Sequence, residues 1–344
     1  MKSVLEYIWI GGNNEFRSKI RVVDYNIFLN EGDCCVPVEE RLSQLEWNYD
    51  GSSTEQAQGN NSEITLKAVN IYPKFVRQAK YFIICETYKS NGEPAKNNNR
   101  KLANELFNKK LEEKPWFGME QEYFIIKDNI PIGYLNAEKQ GQYYCSVGSE
   151  NAFGRKIAEL HLNECIRFGI NISGINAEVA PGQWEFQIGP CEGINSGDEM
   201  IFARYLLIKI AEKEGVSINF EPKPLKGDWN GSGCHTNYST KNMREGTNDK
   251  SGLDYINDAI EKLADKHDEH MLVYGTGNEE RMTGQHETAS YEVFSYGVAN
   301  RGASVRIGNK TYSDKRGYFE DRRPSSNCDP YLVTSKLFET TCLN

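Results

Sequence analysis

Glu178-Val-Ala-Pro-Gly-Gln-Trp-Glu185 decides how this 344-residue chain is read. Pro181-Gly182 predicts a type II turn, with Pro presetting φ at the first central position and Gly supplying positive φ at the second. A two-residue loop then sets a register in which Ala180 faces Gln183, Val179 faces Trp184 and Glu178 faces Glu185. Val179 and Trp184 share one sheet face with Ala177 and Phe186, and the two glutamates share the other. Like charges directly opposite in a hairpin are destabilising, and a cation held between them resolves the conflict. The hairpin predicts an enzyme organised around bound metal.

Two further stretches repeat the pattern. Glu120-Gln-Glu122 lies in Trp116-Phe-Gly-Met-Glu-Gln-Glu-Tyr-Phe-Ile-Ile126, whose composition is that of a strand, so the i, i+2 spacing puts both carboxylates on one face. Gly231-Ser-Gly-Cys-His-Thr-Asn-Tyr-Ser239 alternates likewise. His235, Asn237 and Ser239 form a polar face able to hold phosphate oxygens; Cys234, Thr236 and Tyr238 point the other way. The glycines let backbone approach a ligand closely, although no P-loop pattern occurs in the chain. Arg281, Arg301, Arg306, Arg322 and Arg323 crowd the last quarter, and guanidinium groups suit carboxylates and phosphates. Many carboxylates with one imidazole favour Mg²⁺ or Mn²⁺ over zinc. Hard metals, phosphate-compatible groups and arginines together predict phosphoryl transfer from a nucleotide. His267-Asp-Glu-His270 is set aside as a ligand pair, because it falls at the C-terminal end of a predicted helix, where imidazoles complement the dipole and pack.

The formal net charge of −9 argues against nucleic-acid or anionic-membrane surfaces. No apolar run is long enough to span a bilayer, and the N-terminus reads as a strand, Val4–Ile10, not a signal peptide. Nine cysteines without a CxxC pair predict reduced, mostly buried thiols and a cytoplasmic location, with Cys34-Cys35 packing rather than performing redox chemistry. Further strands are predicted at Lys19–Val23, Ile64–Val69 and Tyr81–Cys85. Glu86 to Arg100 carries loop chemistry and predicts a boundary between domains 1–96 and 97–344. Helices are predicted over 101–113, 152–168 and 197–214, the last with Ser196 and Glu199 as a capping box and Gly215 beyond its end. Another starts at the Ser251/Asp254 box and carries Leu253, Ile256, Ile260 and Leu263 at helical spacing. The expected class is α+β with a largely antiparallel sheet.

The chain resembles glutamine synthetases of the type II, eukaryotic-type class, over nearly its whole length. The marks are Trp47-Asn-Tyr-Asp-Gly-Ser-Ser-Thr54, Trp116–Tyr123, Asn176–Pro190, Asn230–Thr240, Arg281-Met-Thr-Gly-Gln-His-Glu-Thr288, Ala299–Ile307 and Gly317-Tyr-Phe-Glu-Asp-Arg-Arg-Pro324. The resemblance implies a small β-grasp-like N-terminal domain and a larger catalytic domain with a curved antiparallel sheet and flanking helices. It implies ligation of ammonia to the γ-carboxylate of L-glutamate through γ-glutamyl phosphate, with ATP as co-substrate and two or more Mg²⁺ or Mn²⁺ per site. Glu122, Glu178 and Glu185 would hold one ion; Glu120, His235 and Glu320 the second. Asn230, Gly231, Arg281 and Arg301 would bind glutamate, while Arg306 and Arg322 would contact phosphate or the reacting carboxylate. Trp116, Pro190 and Tyr318 would line an adenine pocket, with Asn237 and Ser239 on the nucleotide side. Asp50, Ser53 and Tyr144 would form the ammonium site, Asp50 as base, and Glu287 would sit on a closing flap. The implied assembly is a decamer of two pentameric rings with sites between subunits. Departures fall in loops: Ile130–Gln142 is short, Gly11-Gly12 replaces an acidic residue and glycine, and lengths near 245–251 and 274–280 are unusual.

Overall fold

The computed structural model describes residues 2–24, 42–72 and 80–344; Cys34-Cys35 lies outside them. The chain is α+β and divides into two compact units. One comprises Met1–Leu102 with Arg167–Gly169, the other Ala103–Ile166 with Ile170–Asn344.

The first unit is built on β1 (Ser3–Ile10), β2 (Phe16–Val23), β3 (Trp47–Asp50), β4 (Glu63–Tyr72) and β5 (Lys80–Lys89), in the order β2-β1-β5-β4-β3. β1 and β5 run parallel at the centre, and the other pairs are antiparallel. Alternation puts Leu5, Tyr7 and Trp9 of β1 into one core with Tyr49, Ile64, Leu66, Tyr81 and Ile83. The Glu86–Arg100 loop is shorter than expected. β5 continues to Lys89 because Glu86, Thr87 and Tyr88 pack as buried strand residues, and a helix already begins at Asn99. That helix stops at Phe107, and Leu111–Glu113 form a separate 3₁₀ turn.

The second unit carries a nine-stranded, largely antiparallel curved sheet. Its strands are β6 (Trp116–Lys127), β7 (Ile130–Pro131), β8 (Ile172–Ala177), β9 (Gln183–Glu192), β10 (Ser217–Asn219), β11 (Cys234–Ser239), β12 (Tyr296–Val298), β13 (Val305–Ile307) and β14 (Phe319–Asp321). The main path is β12-β13-β14-β11-β6-β9-β8, with β7 and β10 also paired to β6; only β12 and β13 are parallel. On β6, Phe117, Met119, Gln121 and Tyr123 are buried, so Glu120 and Glu122 occupy the opposite face. The helix Ile194–Lys213 is buried on nearly all sides, as expected for an element in the middle of a large core.

Gly182 takes φ +69°, as the turn requires. The hairpin register nevertheless differs from expectation: Ala177 pairs with Trp184 and Asn176 with Glu185. Glu178 donates its N–H to Gln183 O at 2.9 Å, and Val179 and Ala180 are accommodated as extra residues before the turn. Glu178 and Glu185 are therefore offset, not directly opposed. The slip is two residues, so each side chain keeps its face.

Two helix-end expectations also change. The helix over 194–213 starts three residues before Gly197, capped at Gly193. Ser196 Oγ donates to Gly193 O at 2.6 Å, while Glu199 accepts the Asn171 N–H at 2.7 Å. The predicted box fails because both side chains have other partners. The Ser251/Asp254 box forms, and Leu253, Ile256, Ile260 and Leu263 are all buried. Lys266 breaks that helix, so His267 opens a short helix, His267–Met271, instead of closing a long one. Among the described residues five of the seven cysteines are buried and none is bridged. No helix among them is long and apolar enough to cross a membrane.

Candidate active site

Sheet register assembles the site. β6 puts Glu122 opposite Glu185 on β9, and Glu120 opposite Gln187 on β9 and His235 on β11. β14 puts Glu320 opposite Asn237 on β11 and Arg306 on β13. These positions share one face, so four strands and one hairpin tip deliver five carboxylates and an imidazole to one cavity. Two groups result: Glu122, Glu178 and Glu185, and Glu120, His235 and Glu320. Each offers three ligand atoms within 4.8 Å of one another. They are the only such His/Cys/Asp/Glu groups among the described residues.

Electrostatics show what the groups require. Burial, followed by the neighbouring Glu178 charge, pushes the Glu122 carboxyl up to about 8. Burial and Glu185 do the same to Glu178, and burial with Glu120 and Glu122 to Glu185, each to about 8. Three carboxyls that resist ionising together form a pocket suited to a cation. Burial, then Arg322, holds His235 well below the usual imidazole range, so its ring is neutral and has a lone pair to offer. An all-oxygen triad beside a two-carboxylate, one-imidazole triad fits hard divalent ions.

Arginines surround the acids. Arg306 Nη1 lies 3.0 Å from Glu320 Oε2, and Arg322 Nη1 2.5 Å from Glu320 Oε1. His235 Nδ1 is 3.5 Å from Glu320 and 3.7 Å from Glu120. Arg281 is buried and fixed by Asn278 Oδ1 at 2.9 Å and by Arg323 O at 2.6 Å. Arg301 pairs with Glu287 at 3.2 Å. His286 and Glu287 both have positive φ, 53° and 60°, a costly conformation for two successive non-glycine residues. Arg322 Nη2 donates to Glu287 O at 3.3 Å.

The cavity is lined by all six predicted metal ligands and by Tyr144, Asn230, Gly231, Arg281, Glu287, Arg301, Arg306 and Arg322. Asp50 and Ser53 belong to the first unit; the Asp50 carboxylate accepts the Ser52 hydroxyl at 2.7 Å and N–H at 3.0 Å. Trp116, Pro190, Asn237, Ser239 and Tyr318 do not line the cavity. Trp116 faces Ser239 across β6–β11, and Arg244 joins them, 4.0 Å over the indole and 3.0 Å from Ser239 Oγ. Asn237 donates to Glu120 Oε1 at 2.7 Å. Pro190 and Tyr318 are exposed. Arg323, grouped with the other arginines in the sequence, is fully buried against Asp321 at 2.7 Å. His267 and His270 bond to Tyr291 O, and to Tyr274 and Thr340, a packing role.

Sequence reasoning gave no role to Asn176, Gln187 or His286, which also line the cavity. Gln187 was visible in principle, two residues from Glu185 on the same strand face.

Comparison with known proteins decides the family: residues 95–342 match the model described as "Glutamine synthetase, catalytic domain". This chain belongs to the glutamine synthetase family. It is 53% identical to a putative glutamine synthetase of Acanthamoeba polyphaga mimivirus, covering 99% of this chain and 94% of that one. It is 51% identical to a glutamine synthetase of Candida glabrata, over 99% and 89%, and 49% identical to a cytosolic isozyme of Pinus sylvestris, over 99% and 94%. A solved chain described as "Apo GmaS without ligand" has the same fold, with TM-score 0.72 at 17% identity, covering 98% of this chain and 77% of that chain. The glutamine synthetase reaction, ATP-dependent formation of glutamine from glutamate and ammonia, is the activity of this chain, with divalent metal as a requirement of the family.

Proposed function

We propose that Glu122, Glu178 and Glu185 hold one divalent cation and that Glu120, His235 and Glu320 hold a second, both Mg²⁺ or Mn²⁺. The observation that carries this reading is the pair of three-ligand groups opening on one arginine-rich cavity. Bound there, the cations neutralise charge on the phosphates of ATP.

The reading assigns the chain's own groups as follows. Asn230, Gly231, Arg281 and Arg301 seat glutamate, with Arg281 held rigid by the carbonyls behind it. Arg306 and Arg322, resting on Glu320, turn to the transferred phosphoryl group and to the reacting carboxylate. A carboxylate lacks a good leaving group, so phosphorylation to γ-glutamyl phosphate precedes attack by ammonia. Glu287 shields that acyl phosphate from water. Trp116, Pro190, Asn237, Ser239 and Tyr318 form the nucleotide end, supported by the closeness of Trp116 and Ser239 across β6–β11.

Ammonium binds at Asp50, Ser53 and Tyr144. The Ser52 hydroxyl and N–H hold the Asp50 carboxyl below its ordinary range, so it is ionised and ready to receive a cation and then its proton. Asp50 lies within the segment 1–96 and the metal groups within 97–344. A neighbouring subunit supplies the former in a decamer of two pentameric rings in the cytoplasm.

The test is glutamine formation from ATP, glutamate and ammonium by wild type and Glu185→Ala. Near-complete loss in a folded variant supports the assignment; unchanged turnover overturns it. Phosphate release driven by alkylamines as well as by ammonium would instead indicate an amine ligase.

A further inference from the structure

The carboxylates of the first triad are held from three directions. Glu122 Oε2 accepts the Gly233 N–H at 2.7 Å. Glu178 Oε1 accepts the Asn176 side-chain amide at 2.9 Å, and Glu185 Oε1 accepts the Gln187 amide. The second hydrogen of the Gln187 amide goes to Asn176 Oδ1 at 2.7 Å. A continuous path therefore runs Glu178–Asn176–Gln187–Glu185 across β8 and β9. Each carboxylate end accepts an amide N–H, and at the joint Gln187 donates while Asn176 accepts.

Neither amide belongs to the ligand groups, although both line the cavity. The two-residue slip of the hairpin makes the path possible, because it brings Asn176 opposite Glu185 and Gly174 opposite Gln187. Gly174 has no unusual φ to explain it. A Cβ there would stand 2.5 Å from Gln187 Oε1, so the bare backbone is the seat of the amide.

We propose that Asn176 and Gln187 are positioning residues: a two-amide strap, seated on Gly174, that holds Glu178 and Glu185 in the attitude that receives a divalent cation. The strap holds the two side chains in place when the cation is absent, so less order is created on binding. This inference rests on the reading that Glu122, Glu178 and Glu185 hold a cation.

The experiment is Mn²⁺ titration of the full-length protein without nucleotide, following free Mn²⁺ by electron paramagnetic resonance. The proteins are wild type, Gln187→Ala, Asn176→Ala, their double variant, Gly174→Ala and Glu185→Ala. Loss of groups behind metal ligands typically weakens metal binding about 10- to 100-fold. That loss is expected for Gln187→Ala and Asn176→Ala, with the double variant no worse than either single one, since both break the same strap. Gly174→Ala touches no carboxylate and meets only the flexible end of Gln187, so it folds and yet weakens Mn²⁺ in the same direction. Raising metal restores kcat in Gln187→Ala, Asn176→Ala and Gly174→Ala, with the deficit confined to the metal concentration needed.

Wild-type Mn²⁺ affinity in Gln187→Ala and Asn176→Ala, with affinity lost in Glu185→Ala, overturns the strap and leaves the metal reading standing. Wild-type affinity in Glu185→Ala removes the metal reading itself. A kcat deficit that saturating metal does not relieve also overturns the strap, because it marks a general distortion of the sheet.

Discussion

Glu122 on β6 faces Glu185 on β9 directly across an antiparallel ladder, where like charges work against the pairing. On the proposed reading, the fold tolerates this because a cation sits between them in the working state. Replacing Glu185 by Gln keeps the size and removes the repulsion. The metal-free variant is expected to melt a few degrees higher than metal-free wild type in differential scanning fluorimetry at pH 8, and to make almost no glutamine. A lower melting temperature would show that the repulsion is already relieved.

The same carboxyls give a pH dependence of definite sign. Their folded-state values are raised to about 8. The associated stability is complete below the ordinary carboxylate value and is lost as pH rises through about 8, because the folded state binds protons that the unfolded chain has released. In EDTA the melting temperature is expected to fall between pH 5 and pH 9. Adding MgCl₂ should raise it by an amount that grows over the same interval, since the cation replaces the departing protons. A Mg²⁺ effect independent of pH would contradict this.

His161 shifts the other way. It is fully buried, its Nε2 donates to Ala203 O at 2.9 Å, and burial pushes its value down to about 4. The unfolded chain takes up a proton near pH 6.5 that the folded one refuses. Stability is thus full above that pH and is lost toward pH 4, at about 1.4 kcal/mol per pH unit. The difference in urea-unfolding free energy between wild type and His161→Leu should change with that slope between pH 6.5 and pH 4 and stay flat above pH 7, since the other shifted groups are common to both proteins.

Arg322 and Arg323 are neighbours with opposite tasks. Arg322 reaches Glu320 in the cavity, whereas Arg323 is sealed in the core with Asp321 and touches His267 Nδ1 at 3.1 Å. Arg323→Met leaves the Asp321 charge buried without its partner, and an expected loss of about 3–5 kcal/mol should appear in the urea midpoint. Arg322→Gln should melt like wild type while turnover falls on the order of 10²- to 10³-fold, the scale of losing one preorganised donor to a transition state. Equal destabilisation by both would refute the division of labour.

How much of this was legible beforehand follows from how each part is encoded. Long strands announce their faces. Alternation over β6 put Glu120 and Glu122 on one face, and alternation over β11 put His235 on a polar face; only the family resemblance joined His235 to Glu120. β14 has three residues, too few for a period, so Glu320 entered only through family resemblance. Pro181-Gly182 gave the turn type correctly but carries no information about Val179 and Ala180 upstream, hence the register error. The Ser196/Glu199 box looked sound locally. It failed because Asn171, distant in sequence, competes for Glu199. Asn176 and Gln187 sat on the right faces, yet amides are common on strands, and only the side-chain geometry joins them.

The hairpin slip bears on how this loop can vary in length. Side chains on a strand alternate between core and cavity, so what must be preserved at Glu178 is parity, not count. A pair of residues added or removed near Pro181 would leave the carboxylate aimed at its partners, whereas a single one would turn it into the hydrophobic interior.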